Sequence, residues 1–402
     1  EIKKLPPAHF LHLKDNHLEI KKYWELTTQK QLEKPDEEII SQFKELVFQS
    51  VKNRIHSEQN IGTELSGGLD SSSIAAIAAS FTSIKSFSHI LPDEFLGKIH
   101  PFKDEREFIN QLSDFCGIKE RYFITSEQPG IADVLKTHVS DFNHITQQNF
   151  STFSDQLYNK ASQEDISVLL SGFGGDEVIT SKSGNYLDEL ARLRKWKELK
   201  TDLKESKLTK VQYSKLLLKY NLKFKFAPIF KILLWLKSNK KWWEEKFQYL
   251  ALNKDFSNKM KISKRYHQYY SRINPSLFQE RNIERITHPH VAQRLEYCNT
   301  SARKYGIEYR YPFIDKQLIE FYLSMPPRLK ARNGIKRFAI REAMKGILPE
   351  TIRLRNDKSG ATIPTVYMRL IKDQDKIEAF IQKAKNNPVI TKYIDINEFE
   401  LW

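Results

Sequence analysis

The run Ser66-Gly67-Gly68-Leu69-Asp70-Ser71-Ser72 lies between a short strand pattern at residues 61–65 and an Ala/Ile-rich helical pattern at residues 73–80. A strand feeding a glycine-rich turn and then a helix makes an anion site. Two adjacent glycines let backbone amides come close to an oxyanion, and the helix N-terminus adds its dipole. Ser66, Ser71 and Ser72 can add hydroxyl donors. Asp70 would repel a bare phosphate, so its place in the run implies a bridging Mg²⁺. The plain alternative is an ordinary glycine-rich turn capped by serine. The run lacks the G-x-x-x-x-G-K-[ST] spacing of a Walker loop.

Strand and helix patterns alternate around this run. Pro35-Asp36 opens a helix, with Asp36 placed to cap it and Ile39, Ile40, Phe43, Leu46, Val47 and Val51 at helical spacing. Residues 84–90, 121–124 and 166–170 read as further strands, and residues 104–116 as a helix. Such alternation predicts an α/β fold with a doubly wound parallel sheet. Residues 1–34 read as extended pieces around a polar turn at 14–17. From about Pro275 the pattern is helical to the end. The expected divisions are 1–34, an α/β core at 35–191, a basic helical insertion at 192–274 and a helical C-terminal part at 275–402.

The glycine run resembles the pyrophosphate loop of the N-type ATP pyrophosphatases, which split ATP between the α and β phosphates and adenylate an oxygen. A second run, Leu169-Leu170-Ser171-Gly172-Phe173-Gly174-Gly175-Asp176-Glu177, resembles the second nucleotide loop of asparagine synthetases and their relatives. Two further stretches match that family in order. One is Tyr305-Gly306-Ile307-Glu308-Tyr309-Arg310-Tyr311-Pro312-Phe313-Ile314-Asp315. The other runs from Gly334-Ile335-Lys336-Arg337 through Arg341 and Leu348-Pro349 to Arg355-Asn356-Asp357-Lys358. The resemblance implies ATP and Mg²⁺ as cofactors. It implies nucleotide contacts from Ser66, Gly67, Gly68, Asp70, Ser71, Ser72, Ser171, Gly172, Gly174 and Gly175, and metal contacts from Asp70 and Asp176. It makes Lys358 the cation that steadies charge on phosphate or on a tetrahedral oxyanion. It makes Glu308 the base that positions and deprotonates an amine. The plain alternatives are a solvated lysine and an ion pair from Glu308 to Arg310 or Arg341. Asp315 reads as structural.

Three features depart from asparagine synthetase. Residues 1–27 resemble only the tail of its glutaminase domain, with no N-terminal Cys. Phe173 stands where a small or acidic residue is usual, and Val178–Asn185 does not continue as Gly-Gly-Tyr. The third departure is the basic insertion. All three resemble the lasso-peptide cyclases, which activate an Asp or Glu side chain of a peptide for attack by its own N-terminal amine. The expected acid is therefore an acidic peptide, with free aspartate as the alternative.

The formal charge of +15 is not spread over the chain. Residues 192–265 hold 22 Lys and Arg against 6 Asp and Glu, so the remainder is close to neutral. Four of the six Trp also fall there: Trp196, Trp235, Trp242 and Trp243. Four readings of this block stay open. They are amphipathic helices packed on the domain, a surface for a peptide or partner protein, a membrane-surface helix, and a nucleic-acid surface. The last is weakest, since no recognised motif accompanies the charge. Cys116 and Cys298 form no metal or C-x-x-C spacing and read as buried free thiols, which suits a reducing cytoplasm. The longest apolar run, residues 232–236, is far below the ~20 residues needed to span a bilayer.

Overall fold

The structure is a computed structural model and describes residues 3–56, 59–93, 105–125, 129–142, 154–180, 186–206, 208–226, 251–265, 278–357 and 362–400. An antiparallel hairpin comes first, β1 (His9–Lys14) and β2 (His17–Lys22). Asp15 and Asn16 turn it with positive φ, the twist that two-residue hairpins favour. Then follow α1 (Asp36–Lys52), β3 (Ile61–Glu64), α2 (Leu69–Ala79), β4 (Ile84–Ile90), α3 (Arg106–Cys116), β5 (Arg121–Thr125), α4 (Ile131–Phe142), α5 (Asp155–Gln163) and β6 (Val168–Leu170). Helices α6 (Tyr186–Arg192), α7 (Trp196–Glu205), α8 (Lys210–Phe224) and α9 (Lys254–Lys259) lie in and beside the basic block. The chain continues with α10 (Phe278–Thr287), α11 (Pro289–Arg303), β7 (Glu308–Arg310), α12 (Lys316–Ser324) and α13 (Pro327–Lys330). A two-stranded turn, β8 (Ala331–Arg332) and β9 (Ile335–Lys336), leads into α14 (Phe338–Ala343), α15 (Glu350–Arg353) and α16 (Thr362–Lys372).

The five central strands are all parallel, in the order β5-β4-β3-β6-β7. Helices cover both faces, and the short central strand β6 is apolar throughout. All three residues of β6 are buried, and side-chain alternation sends them to opposite layers. Val168 and Leu170 join the layer made by α1, α2, α12 and α14, whereas Leu169 joins the layer made by α5 and α11. The run of Ile74 to Ala78 is buried all round, and its three alanines let α2 lie close to the sheet.

Two sequence expectations are corrected. Asp36 does not cap α1: Pro35 holds that position, and Asp36 instead pairs with Arg328 at 2.8 Å and Arg332 at 3.4 Å. The region after Pro275 is not wholly helical. It supplies β7, whose Tyr309 and flanking Ile307 and Tyr311 bury with Tyr158 and Leu169. It also supplies the β8–β9 turn. In and just before the basic block, Tyr186, Leu190, Leu199, Leu203 and Tyr220 bury together against Ala331. Lys223 reaches Asp188 at 2.8 Å, and Lys225 lies over the half-buried Trp196 ring at 4.6 Å. The described part of the block is thus helices packed on the domain. Trp235, Trp242 and Trp243 lie outside the described residues. No helix among the described residues is long and apolar enough to cross a membrane.

Candidate nucleotide-activating site

Strand β3 has β4 on one side and β6 on the other, so the winding of the sheet reverses between β3 and β6. In open α/β sheets a crevice opens at the carboxyl ends of the strands at such a reversal. Both glycine runs leave the sheet there. In the first, Gly67 takes φ +68°. Ser71 folds back to hold the turn: its Oγ accepts from the Ser66 N–H at 3.1 Å, donates to the Gly68 carbonyl at 3.3 Å and lies 3.0 Å from Ser66 Oγ. Gly68 precedes α2 without a side-chain cap. The amides of Leu69, Asp70 and Ser71 are in the first turn and have no intrahelical acceptor. They are the donors an anion would meet.

The second run packs into the first. A Cβ on Gly172 would stand 2.7 Å from the Ser71 nitrogen, and one on Gly175 would stand 2.5 Å from Asp70 Cγ. Only a bare backbone lets the two turns approach this closely. Ser171 Oγ donates to Glu64 at 3.2 Å, which ties the second run to the end of β3. A single π-turn, Gly175–Ile179, starts at the contact, and turns of this kind concentrate at functional sites. It presents Asp176 beside Asp70. Arg337 bridges the two carboxylates, reaching Asp70 at 3.4 Å and hydrogen-bonding Asp176.

Beside the first run is a cavity of about 290 Å³. Ser66, Gly68, Leu69, Asp70 and Ser71 line one side, while Lys336, Arg337, Arg341, Arg355, Asn356 and Asp357 line the other with Glu105. Arg355 is buried: it pairs with Glu105 at 2.7 Å and Asp357 at 3.0 Å, donates to the Gly67 carbonyl at 3.3 Å and stacks on Phe108 at 4.0 Å. Arg341 donates to the carbonyls of Lys336 at 2.9 Å, Arg355 at 2.8 Å and Arg353. Burial lowers the pKa of its guanidinium. Arg341 thus clamps residues 353–356 and delivers Asn356 and Asp357 to the cavity. Lys358 is next in the chain and lies outside the described residues.

Of the residues expected from sequence, Ser66, Gly68, Asp70 and Ser71 line the cavity. Gly67 holds the turn through Arg355. Ser171, Gly172, Gly174, Gly175 and Asp176 form the packed second turn beside it. Ser72 is fully buried and is not among the residues that line the cavity. For Glu308 the ion pair to Arg310, the plain alternative, is present. Glu308 pairs in register with Val168 at the start of β6, whereas Arg310, two residues on, accepts from the Ser171 amide. Glu308 is therefore about 7 Å back along the strand, toward the amino end of the sheet. Arg310 grips both of its carboxylate oxygens, at 2.8 and 2.6 Å, and these bonds hold its carboxyl below the usual carboxylate range. Asp315 caps α12 through the Leu318 amide at 3.1 Å and pairs with Arg54 at 3.3 Å. Both cysteines are free, and burial pushes the Cys116 thiol up to about 11. Sequence reasoning missed Arg337 and Arg355 as site residues, although both sit in the fourth matching stretch. It had no signal for Glu105.

The site fits a divalent ion held together with phosphate. Among the described residues no cluster of three or more His, Cys, Asp or Glu is arranged to hold a metal alone. Mg²⁺ is commonly held by one or two carboxylates with phosphate oxygens and water completing its shell. Asp70 and Asp176 supply two carboxylates at the mouth of an amide-lined cavity.

A family model described as asparagine synthase matches residues 42–388. The chain belongs to the asparagine synthase family. Asparagine synthetase 1 of Bacillus subtilis, named as glutamine-hydrolyzing, is 22% identical over 97% of this chain and 60% of its own length. Asparagine synthetase 3 of the same organism is 23% identical over 88% of this chain and 53% of its own length. The chain thus spans little more than half the length of these two relatives. Among solved structures, an ammonia-dependent NAD synthetase from Campylobacter jejuni aligns over 36% of this chain and 59% of its own, at 17% identity and a TM-score of 0.23. A U34-tRNA thiolase from Methanococcus maripaludis aligns over 40% of this chain and 59% of its own, at 18% identity and a TM-score of 0.25.

Proposed function

We propose that the chain is an ATP-dependent amide ligase that adenylates a side-chain carboxylate. The carrying observation is the interlocked pair of glycine turns, which sets Asp70 and Asp176 beside the uncapped start of α2. In the proposed reaction a carboxylate oxygen attacks the α-phosphorus of ATP, and the bond between the α and β phosphates breaks. Pyrophosphate leaves, and an acyl-adenylate remains. An amine then attacks the acyl carbon, loses a proton and expels AMP. A bound Mg²⁺ would neutralise charge on the departing pyrophosphate, with Asp70 and Asp176 as its protein ligands. The amides of α2, the serine hydroxyls and the basic wall of Lys336, Arg337 and Arg355 would bind the phosphates. Lys358, directly after Asp357, would steady the developing oxyanion. Glu308, expected as the base, is ion-paired with Arg310, and no step is assigned to it here.

The acid is proposed to be an Asp or Glu side chain of a peptide, with the peptide's own N-terminal amine as nucleophile and an isopeptide macrocycle as product. Phe173, the continuation after Glu177 and the basic insertion support this reading. A second reading, asparagine formation from aspartate and ammonia, draws support from the two B. subtilis relatives. The division at 192–274 is proposed as a unit that meets the substrate or a partner. Residues 1–34 are proposed to belong with a glutaminase-like module, because the side chains of Phe10, Leu11, Leu13, Leu18 and Ile20 on β1 and β2 stand exposed. A cytoplasmic setting suits both readings. ATP–pyrophosphate exchange, measured with free aspartate and with acidic peptides, separates them. Exchange driven by peptides and not by aspartate supports cyclisation; exchange driven by aspartate alone removes it.

A further inference from the structure

The contact between Arg337 and the two carboxylates has no counterpart in the sequence reading. Arg337 sits where the β8–β9 turn enters α14, and its backbone is left-handed, φ +60° and ψ +36°. A residue with a Cβ adopts that region at a cost, so surrounding structure must hold it there. The turn supplies the hold: Asn333 and Gly334 both take positive φ, and Ala331 pairs with Lys336. The result aims a guanidinium at Asp70 and Asp176 together. The Arg337 side chain is 14% exposed, against 17% for Asp70 and 34% for Asp176. The fork therefore sits between the carboxylates, at the position a divalent ion shared by them would need.

Building on the proposed nucleotide site, we propose that Arg337 determines which form of the ligand the site accepts: the metal–nucleotide complex, and not the bare metal ion. Two carboxylates held by a guanidinium present little net negative charge to a cation. They also leave it too few protein ligands, since no third acidic or imidazole group joins them among the described residues. A metal ion arriving alone must displace Arg337, while the other carboxylates lining the cavity, Glu105 and Asp357, are already paired with Arg355. An ion arriving on a polyphosphate brings oxygens that complete its own shell and give the guanidinium a new anionic partner. Arginine is suited to this because its planar fork spans two acceptors, which a lysine ammonium does so less rigidly.

The test measures metal and nucleotide separately, by Mn²⁺ titration followed by electron paramagnetic resonance on the full chain. Without nucleotide, Arg337→Gln is expected to bind Mn²⁺ about tenfold or more tighter than wild type, the scale of losing one charged hydrogen-bond partner. Arg337→Lys is expected to fall between the two. The gain must vanish in Asp70→Asn/Arg337→Gln, which shows that it arises at this site. With α,β-methylene-ATP, wild-type Mn²⁺ affinity is expected to rise, and the rise is expected to shrink in Arg337→Gln. Unchanged or weaker Mn²⁺ binding by both Arg337 variants overturns the proposal. The metal-only arm stands apart from the nucleotide reading: failure of wild type to bind the ATP analogue would overturn the proposed function instead.

Discussion

At the scale of single residues, the site is decided by what two glycines lack. Asp70 stands against the Gly175 α-carbon, and Ser71 stands against that of Gly172. Gly175→Ala places a methyl 2.5 Å from Asp70 Cγ, so the carboxylate must move or the π-turn must open. The substitution is expected to weaken metal-dependent ATP binding at least tenfold, measured by isothermal titration, with an unchanged far-ultraviolet circular dichroism spectrum. Asp315 has a different role, as the N-cap of α12 and the partner of Arg54. Asp315→Ala is expected to cost roughly 1 kcal/mol or more of unfolding free energy in urea, the usual scale for a lost cap. It should leave ATP binding intact in the folded fraction. The first glycine run was legible in the sequence because its chemistry is local: the amides, hydroxyls and Asp70 all fall within one turn. The pairing of Arg355 with Glu105 was not legible, because it joins distant parts of the chain across the first turn and follows no spacing rule. The ion pair of Glu308 with Arg310 was among the sequence readings, but its place opposite Val168 depends on the register of β7 against β6, which the motif alone does not specify.

At the scale of elements, most of the parallel sheet could be read from alternation, and the exceptions share a cause. Strand β7 is three residues long and sits among helices, so its neighbours in sequence hide it. Tertiary burial of Tyr309 and Tyr311 against α5 and α11 decides its conformation. The β8–β9 turn did carry a signal, the Asn333-Gly334 pair typical of tight hairpins. The short helix α13 packs against α6, just before the basic insertion, and carries Lys330, which is buried, donates to the Leu323 carbonyl at 3.1 Å and lies over the Tyr322 ring at 5.1 Å. Burial pulls Lys330 down to about 7, with the negative charge of Glu189 opposing that fall. The unfolded chain then binds more protons than the folded one between about pH 7 and pH 10, so this lysine makes stability rise with pH across that window. Lys330→Met should remove that rise. The check is the difference between wild-type and variant melting temperatures from pH 7 to pH 10, which cancels the opposing titration of buried tyrosines and Cys116.

At the scale of the whole molecule, the basic insertion is connected to the site through packing. Asp202 on α7 accepts a hydrogen bond from the Asn333 amide, and Gly334 lies against Ser206. The insertion therefore rests on the turn that aims Arg337 at the two carboxylates. Asp202→Ala is expected to raise the KM for ATP several-fold and to speed amide exchange in residues 331–337, with exchange in β3, β4 and β6 unchanged. A purely peripheral insertion would leave both readouts where they were. Residues 192–265 are thus joined by packing to the turn that carries Arg337, whereas the proposed nucleotide site has its own positive field from the α2 amides and the arginine wall. The proposed activation of a carboxylate by ATP at the two glycine turns is measured most directly by incorporation of labelled pyrophosphate into ATP. Exchange is expected to require a carboxylic acid substrate and Mg²⁺ and to be lost in a folded Asp70→Asn chain. Exchange equal in wild type and Asp70→Asn, or none with any acidic peptide or aspartate, would contradict the proposed activation.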